Sequence, residues 1–282
     1  MKKKKVDIIC PLYNASSFIA NLDASLKRQK DVDINEIKYI LTESSDDSEK
    51  VLKKLKIKYE KIKKCCFSHS LVREKAGMAS KADVLVFITQ DIVIEDDKWL
   101  YYLTKDISDD IVACYSKQVS KYNNIEKYTR EKNYPDESFI VSKEDIPKRG
   151  LKTFFFSDAA SAIKTSTFQE LKGYDNKNLP ISEDMYIAYK IIMSGKKIKY
   201  CADSIVYHSH NFSLKELYQR YKLTGKFFKE NNYLDQYGTN SSGASLAKYV
   251  LKRIVEEHRF GLFFRFPFDM GARFIGMKVG KR

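Results

Sequence analysis

The stretch VLVFITQD, residues 84–91, decides the fold class, because five apolar residues run without interruption into three polar ones. An uninterrupted apolar strand of this kind is typical of a parallel sheet that helices cover on both faces. Residues 6–10 and 37–41 are two earlier apolar segments, and helical patterns separate all three. Strands that alternate with helices at this spacing predict βαβ units, and hence an α/β fold with a Rossmann-like, mostly parallel sheet flanked by helices.

Apolar periodicity predicts the helices between these strands. We expect Ser16 or Ser17 to cap the first helix, with Leu22 and Leu26 on its inner face. A Lys-dense second helix is expected to follow the second strand. Its inner stripe would consist of Val51, Leu52, Leu55, Tyr59 and Ile62.

The later part of the chain is predicted from the same patterns. We expect strands at residues 111–119, 197–201 and 205–208. Between the first and the second of these strands, residues 120–153 are expected to form a long polar flap. The sequence SLKE at residues 213–216 is a capping box, which predicts another helix. The sequence therefore divides into a domain of residues 1–212 and a C-terminal helical region of residues 213–282.

The composition fits a globular protein and narrows its partners. The chain has 282 residues with 51 Lys and Arg against 37 Asp and Glu, a net charge of +14. This charge favours acidic partners such as nucleotides, sugar phosphates, nucleic acid or an anionic membrane. Five Cys without a CxxC pattern argue against a disulfide scaffold or a zinc module. The basic N-terminus leads into a short apolar run that Asp7 and Pro11 interrupt, so we expect a reduced, cytoplasmic protein without a signal peptide or a transmembrane helix.

Polar residues follow three of the predicted strands, where ligands of open α/β sheets bind. The motifs are Pro11-Leu12-Tyr13-Asn14, Thr42-Glu43 and Thr89-Gln90-Asp91. Tyr13 is suited to stack on a base, Glu43 to accept a hydrogen bond from a ring N–H, and Asp91 to hold a divalent cation beside a diphosphate. A single polar residue after a strand is usually a turn former. Three such ends in series predict a nucleotide crevice.

The pair Glu183-Asp184 opens a predicted helix and has two interpretations. Acidic residues in a first turn stabilise the helix dipole. A carboxylate here is also suited to act as a general base on a sugar hydroxyl. Arg73, in an earlier helix, is suited to pair with a phosphate.

His208 and His210 follow a predicted strand at alternate positions, which places both imidazoles on one side of an extended chain. A single His is usually structural, but two at this spacing favour metal ligation or phosphate contact.

Residues 248–282 differ from the rest of the chain. They hold nine Lys and Arg against three Asp and Glu, together with six Phe. Interleaved basic and aromatic residues are typical of a segment that lies on an anionic bilayer. The alternative is a C-terminal helix that docks its Phe side chains on the core.

These motifs, in this order, resemble an inverting family-2 glycosyltransferase with a GT-A fold. The resemblance covers most of residues 6–230. Its base- and ribose-binding motifs match Pro11-Leu12-Tyr13-Asn14 and the acidic turn that begins at Glu43. Its D-x-D metal motif falls on Thr89-Gln90-Asp91, of which only the last Asp is present, and Glu74 stands where an Asn is usual after Arg73.

The resemblance also assigns roles. It implies that Asp184 of the E-D motif is the base and that His208 or His210 joins Asp91 in binding Mg²⁺ or Mn²⁺. The T-Q-D variant, the sequence around Asp158 and residues 179–211 are most similar to bacterial rhamnosyltransferases. This similarity implies dTDP-β-L-rhamnose as the donor and a lipid-linked saccharide at the cytoplasmic membrane face as the acceptor. It also implies that Asp158 orients the sugar or the acceptor.

Two rival functions remain at the level of the sequence. The first is a glycosyltransferase that uses a UDP-sugar, because Tyr13 and Glu43 do not by themselves distinguish thymine from uracil. The second is a non-catalytic basic module that binds a membrane or nucleic acid. A dehydrogenase is disfavoured because no GxGxxG follows the first strand.

Overall fold

The computed structural model describes residues 3–282, apart from the side chains of residues 239–242. The chain divides into two compact units. The first comprises residues up to Lys117, Asp136–Lys143 and Phe154–His208. The second comprises Gln118–Pro135, Glu144–Thr153 and Ser209–Arg282. The second unit therefore contains two segments that precede residue 213 in the sequence, as well as the C-terminal helices.

An eight-stranded sheet forms the centre of the first unit, in the order β3-β2-β1-β4-β7-β5-β8-β6. The strands are β1 (Lys5–Leu12), β2 (Asp33–Thr42), β3 (Tyr59–Ile62), β4 (Val84–Ile88), β5 (Ile111–Val119), β6 (Phe139–Val141), β7 (Ala160–Lys164) and β8 (Lys197–Tyr207). β1 pairs in parallel with β2 and β4, and β2 pairs in parallel with β3. β7 runs antiparallel between β4 and β5. The α/β fold predicted from the sequence is thus present as a mixed sheet.

The helices are α1 (Ile19–Lys27), α2 (Ser48–Lys54), α3 (His69–Met78), α4 (Trp99–Thr104), α5 (Ile125–Asn133), α6 (Ile146–Arg149), α7 (Thr165–Glu170), α8 (Glu183–Met193), α9 (Leu214–Glu230), α10 (Thr239–Glu256) and α11 (Phe260–Lys281). All but α5, α6, α9, α10 and α11 belong to the first unit. α4 contributes Trp99, which is fully buried and donates from Nε1 to the Ser116 hydroxyl of β5 at 3.0 Å.

The strand register sets the position of the predicted crevice. Pro11 lies opposite Ile40, and Leu12 lies opposite Leu41, so β1 and β2 end at the same level. Val84–Ile88 is buried along its whole length, as the apolar sequence predicts. Because β1, β2 and β4 are parallel neighbours, the polar residues after each of them emerge at one edge of the sheet.

Several predicted elements differ from the observed ones. The Lys-dense helix stops at Lys54, and Tyr59 and Ile62 belong to the edge strand β3 instead. Lys56 has a φ of 54°, a left-handed conformation that no helix continues through. Leu55 is 41% exposed rather than buried.

Helix and strand boundaries account for the other differences. Phe18, not Ser16 or Ser17, precedes α1, and no side chain caps it. The two strands expected after residue 197 form one strand, β8. The flap expected at residues 120–153 contains α5, β6 and α6, because its apolar residues Ile125, Tyr128 and Val141 are buried.

The second unit is helical, and α9 and α11 pack backbone against backbone. A Cβ added to Gly280 would lie 2.0 Å from the carbonyl oxygen of Lys222, and one added to Gly225 would lie 2.3 Å from that of Met277. The predicted capping box at Ser213 and Glu216 is confirmed at the start of α9. Among the described residues, none of the helices has the length and apolar character needed to cross a bilayer.

Candidate active site

The loop after β1 carries Tyr13, which neighbouring side chains hold at three points. Gln90 accepts a hydrogen bond from the Tyr13 amide at 2.7 Å and donates to its carbonyl oxygen at 2.8 Å. Lys64 donates to the Tyr13 hydroxyl at 2.9 Å, and its ammonium lies 5.1 Å from the ring centre. The ring is nevertheless 37% exposed. Tyr13 is therefore a fixed aromatic surface at the edge of the sheet, suited to stack on a base.

Glu43 directly follows β2 and contacts the same lysine that binds Tyr13. Its carboxylate accepts a hydrogen bond from the Lys64 amide at 3.2 Å. Asn14 has a φ of 47°, and its side chain accepts a hydrogen bond from the Ser45 amide at 3.0 Å. The sequence prediction that these two loops meet is thus confirmed as geometry.

Pro11 is placed differently from the expectation. It neither ends β1 nor reaches the crevice, because β1 continues to Leu12 and Pro11 is buried within it. Tyr13 and Asn14, which follow β1, are the exposed residues of this motif.

The loop after β4 brings Asp91 to the end of β8. Val93 and Tyr207 exchange two backbone hydrogen bonds of 2.9 Å, which hold this loop against β8. As a result, Asp91 Oδ2 lies 3.5 Å from His208 Nε2. A carboxylate and an imidazole at this separation fit a divalent cation such as Mn²⁺.

Thr89 and His210 complete the predicted set around this loop. The Thr89 hydroxyl is buried and makes no hydrogen bond to any residue within 3–282. His210 lies two residues beyond His208 in the chain, in the second unit, and its role as a ligand stays a prediction.

Asp184 lies in the first turn of α8. Its Oδ1 accepts a hydrogen bond from the Met185 amide at 2.8 Å, and the residue is partly exposed. Burial of the carboxyl raises the pKa of Asp184 well above its usual value, and the charges of Glu183 and Asp158 raise it further. A carboxylate of raised pKa binds a proton more strongly, which suits a general base.

Arg73 is buried and bound to protein groups, whereas the sequence predicted a contact with a phosphate. Its side chain is only 1% exposed. Nη1 donates to Glu183 at 2.6 Å, and Nη2 donates to the carbonyl oxygen of Asp158 at 3.2 Å. The guanidinium therefore pairs with protein groups in the interior. Glu183, the other predicted catalytic carboxylate, is bound in this pair.

Asp158 is also buried, and two hydroxyl groups bind its carboxylate. Ser161 donates to Oδ1 and Tyr174 donates to Oδ2, each at 2.7 Å. Burial raises the pKa of Asp158, while the charge of Arg73 lowers it. In this structure Asp158 is thus bound by protein groups, and its contact with a sugar or an acceptor stays a prediction.

Glu74, at the position after Arg73 where the resemblance places an Asn, binds the backbone of a neighbouring loop. Its carboxylate accepts hydrogen bonds from the backbone amides of Tyr174 and Asn176, at 2.5 Å and 3.0 Å. Gly173 has a φ of 49°, and an added Cβ would lie 2.9 Å from Glu74. The carboxylate therefore anchors the loop that presents Tyr174 to Asp158.

Sequence reasoning missed Lys64 and Tyr174. Lys64 follows a Lys-dense segment, and nothing in its local sequence separates it from the other lysines there. Tyr174 follows Gly173 within a polar turn, a pattern that predicts only a turn.

Solved structures show which fold this is. A mannosyltransferase from Pyrobaculum calidifontis, solved with GDP-mannose and Mn²⁺, superposes with a TM-score of 0.66 at 12% identity, over 100% of this chain and 88% of that one. Glucosyl-3-phosphoglycerate synthase from Mycobacterium tuberculosis, solved with Mn²⁺ and UDP-glucose, gives 0.53 at 13% identity, over 80% and 79%. The chain thus has the GT-A fold that these structures share.

Sequence comparison gives the family. Residues 7–172 match the model of glycosyl transferase family 2, and the chain belongs to this family. It is 32% identical to the O-antigen chain rhamnosyltransferase RfbN of Salmonella typhimurium, over 98% of this chain and 90% of the relative. It is 30% identical to the O-antigen chain rhamnosyltransferase WbaN of Salmonella anatum, over 97% and 88%. The resemblance noted from the motifs is confirmed.

Proposed function

We propose that this glycosyltransferase moves L-rhamnose from dTDP-β-L-rhamnose to a saccharide acceptor in the synthesis of a cell-surface polysaccharide. The observation that carries the proposal is similarity over almost the whole chain to two rhamnosyltransferases that act on the O-antigen chain. The exposed ring of Tyr13 and the carboxylate of Glu43, both bound to Lys64, are suited to contact a nucleotide base.

The proposed mechanism is a single displacement. Asp184 accepts the proton of the acceptor hydroxyl as its oxygen attacks the anomeric carbon of the sugar. The bond between that carbon and the nucleoside diphosphate breaks on the opposite face, so the configuration inverts and the diphosphate leaves with the bonding electron pair. The raised pKa of Asp184 favours its taking up this proton.

Asp91 and His208 are the residues that would hold a divalent cation. The solved relatives of this fold contain Mn²⁺ together with a nucleotide sugar. Such an ion, when bound, offsets the charge that develops on a leaving diphosphate.

Thermal stability measured with dTDP, UDP and GDP, each with and without Mn²⁺, tests the donor. A ligand at about 100 times its Kd adds about 2.7 kcal/mol to the stability of the folded state. Stabilisation by dTDP that Mn²⁺ increases, followed by rhamnose transfer from dTDP-rhamnose, is the expected result. A preference for UDP would replace the donor by a UDP-sugar, and the absence of any shift would favour a non-catalytic module.

The variant Asp91→Ala tests the cation site. We expect it to abolish the part of nucleotide binding that depends on Mn²⁺ while leaving the metal-free part. Asp203→Ala is the matched control, because Asp203 is an exposed carboxylate on β8. Metal-dependent binding that survives in Asp91→Ala would exclude Asp91 as a ligand.

We also propose that the enzyme works at the surface of the cytoplasmic membrane, where it meets a lipid-linked acceptor, and that α11 makes the contact. Phe260, Phe264, Phe268 and Phe274 are each between 64% and 73% exposed. The opposite face of α11 buries Asp269 and Arg273, whose side chains pair at 2.8 Å. The exposed face of α11 therefore carries these Phe side chains, and its buried face carries the ion pair of Asp269 and Arg273. An aromatic surface on a strongly basic chain is complementary to an anionic bilayer.

Sedimentation with vesicles of phosphatidylglycerol and phosphatidylcholine tests this contact. Replacing both Phe264 and Phe268 by Ser should weaken vesicle binding by about tenfold or more for each side chain removed from the bilayer. The control replaces Leu55 and Met78, which are 41% and 44% exposed, by Ser. Equal binding by the two variants would exclude α11 as the anchor. Dimerisation that the Phe variants abolish would assign the face to a second copy of the chain.

A further inference from the structure

The start of α8 is strained and has no side-chain cap, although it carries the proposed base. Ser182, which precedes the helix, has a φ of 61° and a ψ of 22°, and its side chain makes no capping hydrogen bond. A left-handed conformation at a residue other than glycine persists only where surrounding contacts impose it. Some other interaction must therefore fix the first turn of α8.

Arg73 of α3 contacts this turn directly. Glu183 is the first residue of α8, and its carboxylate receives Nη1 of Arg73 at 2.6 Å. The same guanidinium donates to the carbonyl oxygen of Asp158, so one side chain of α3 joins α8 to the turn before β7. Tyr174 and Ser161 bind the Asp158 carboxylate and complete the link.

Charge makes Arg73 the centre of this cluster. Three carboxylates, those of Asp158, Glu183 and Asp184, interact electrostatically with one another and with the guanidinium of Arg73. Buried charges of one sign need a partner of the other sign. In this structure the Nη atoms of Arg73 are bound by Glu183 and by the carbonyl oxygen of Asp158.

We propose that Arg73 is a positioning residue, which holds Glu183 and thereby sets the place and the orientation of Asp184 for proton transfer. The inference rests on the proposed function, because it takes Asp184 as the base. It differs from a role in nucleotide binding, which would give Arg73 a direct contact with the donor.

The variants Arg73→Gln and Arg73→Lys separate the two roles. A misplaced base lowers kcat by about 100-fold, whereas the affinity for dTDP and Mn²⁺ should stay the same. Lys should restore only part of kcat, because one ammonium cannot reproduce the fork that reaches both partners. A large loss of dTDP affinity with kcat retained would overturn the proposal and make Arg73 a phosphate ligand.

The pH profile gives a second readout that a loss of folded protein does not mimic. Glu183 on α8, Asp158 before β7 and Arg73 on α3 are the charged groups that act on Asp184. Removing the positive charge in Arg73→Gln raises the pKa of Asp184, so the acid limb of kcat moves to higher pH. Removing a negative charge in Glu183→Gln moves the limb to lower pH. Shifts in the same direction, or none, would overturn the proposal.

If Arg73→Gln does not fold, Glu183→Gln still tests the positioning role. An amide keeps the size of the side chain and accepts the hydrogen bond from Arg73. Tyr174→Phe is a milder probe, since it removes one hydrogen bond from Asp158. Both variants should bind dTDP as the wild type does. Weakened dTDP binding in Glu183→Gln would show that the cluster serves the donor instead.

Hydrogen exchange separates failure of this inference from failure of the proposed function. The amide of Tyr186 donates to the Ser182 carbonyl oxygen at 3.1 Å in the first turn of α8. This amide should exchange faster in Arg73→Gln, whether or not the wild type transfers rhamnose. A wild type that transfers no sugar would overturn the function alone, and an unchanged exchange rate would overturn the positioning role alone.

Discussion

Asp184 combines partial exposure with a raised pKa, and both features suit the proposed removal of a proton from an acceptor hydroxyl. Replacing it by Asn keeps the size of the side chain but removes the basic oxygen. Turnover should fall by about 10²–10⁴-fold, the usual contribution of general base catalysis, while dTDP affinity is kept. Kinetics of rhamnose transfer and a nucleotide titration measure the two effects. Near-normal turnover would remove Asp184 from the mechanism.

Asp46 makes the folded state sensitive to acid. Burial tends to raise its pKa, but hydrogen bonds from Ser48 and Ser16 prevail and lower the pKa to about 2. Because the folded-state pKa is depressed, the contribution of Asp46 to stability is present above about pH 4, the ordinary value for Asp, and is lost as the pH falls toward 2.

The variant Asp46→Asn should therefore lose stability at neutral pH and show a smaller further loss on acidification. Denaturant unfolding between pH 7 and pH 2 measures both. Asp203→Asn is the comparison, because it leaves the bonds among Ser16, Asp46 and Ser48 intact. A constant difference between Asp46→Asn and the wild type at every pH would contradict the assignment.

At the scale of elements, the contact between α9 and α11 depends on glycine. Gly280→Ala would place a methyl group 2.0 Å from the Lys222 carbonyl oxygen, and a backbone atom cannot move aside as a flexible side chain can. We expect a loss of about 1–3 kcal/mol in stability. Gly271 lies in the same helix, and nothing lies within 4 Å of a Cβ added there. Gly271→Ala should stabilise the helix by up to about 1 kcal/mol. If chemical denaturation shows that both substitutions change the stability in the same direction, the close approach of the α9 and α11 backbones is excluded.

At the scale of the whole molecule, the net charge of +14 predicts how the proposed membrane binding responds to salt. The attraction to anionic lipid is screened over about 10 Å at 0.1 M ionic strength and about 3 Å at 1 M. Vesicle binding should therefore weaken steeply as salt is added. A component carried by the Phe side chains of α11 should remain, since burial of apolar surface does not depend on charge. Binding to neutral vesicles in high salt, compared between the wild type and the Phe264/Phe268 variant, isolates that component.

The sequence by itself determined the buried strands and the polar residues at their ends. An apolar run such as Val84–Ile88 is a local pattern, and burial on both faces leaves it few alternatives. Parallel pairing then brings Tyr13, Glu43 and Asp91 to one edge of the sheet, so most of the candidate crevice follows from local sequence. The motifs also led to the family, which the comparisons confirmed.

The tertiary structure alone decided which way individual side chains face. Arg73 has the same local sequence whether it meets a phosphate or Glu183, and only the packing of α3 against the start of α8 selects Glu183. The apolar spacing of α2 predicts a helix that continues through Tyr59 and Ile62. These residues form an edge strand instead, and its four positions are too few to show a strand pattern in the sequence. The Phe residues of α11 fit docking on the core as well as exposure. The glycine contacts with α9 and the buried pair of Asp269 and Arg273 turn them outward, because these contacts depend on residues distant in the sequence.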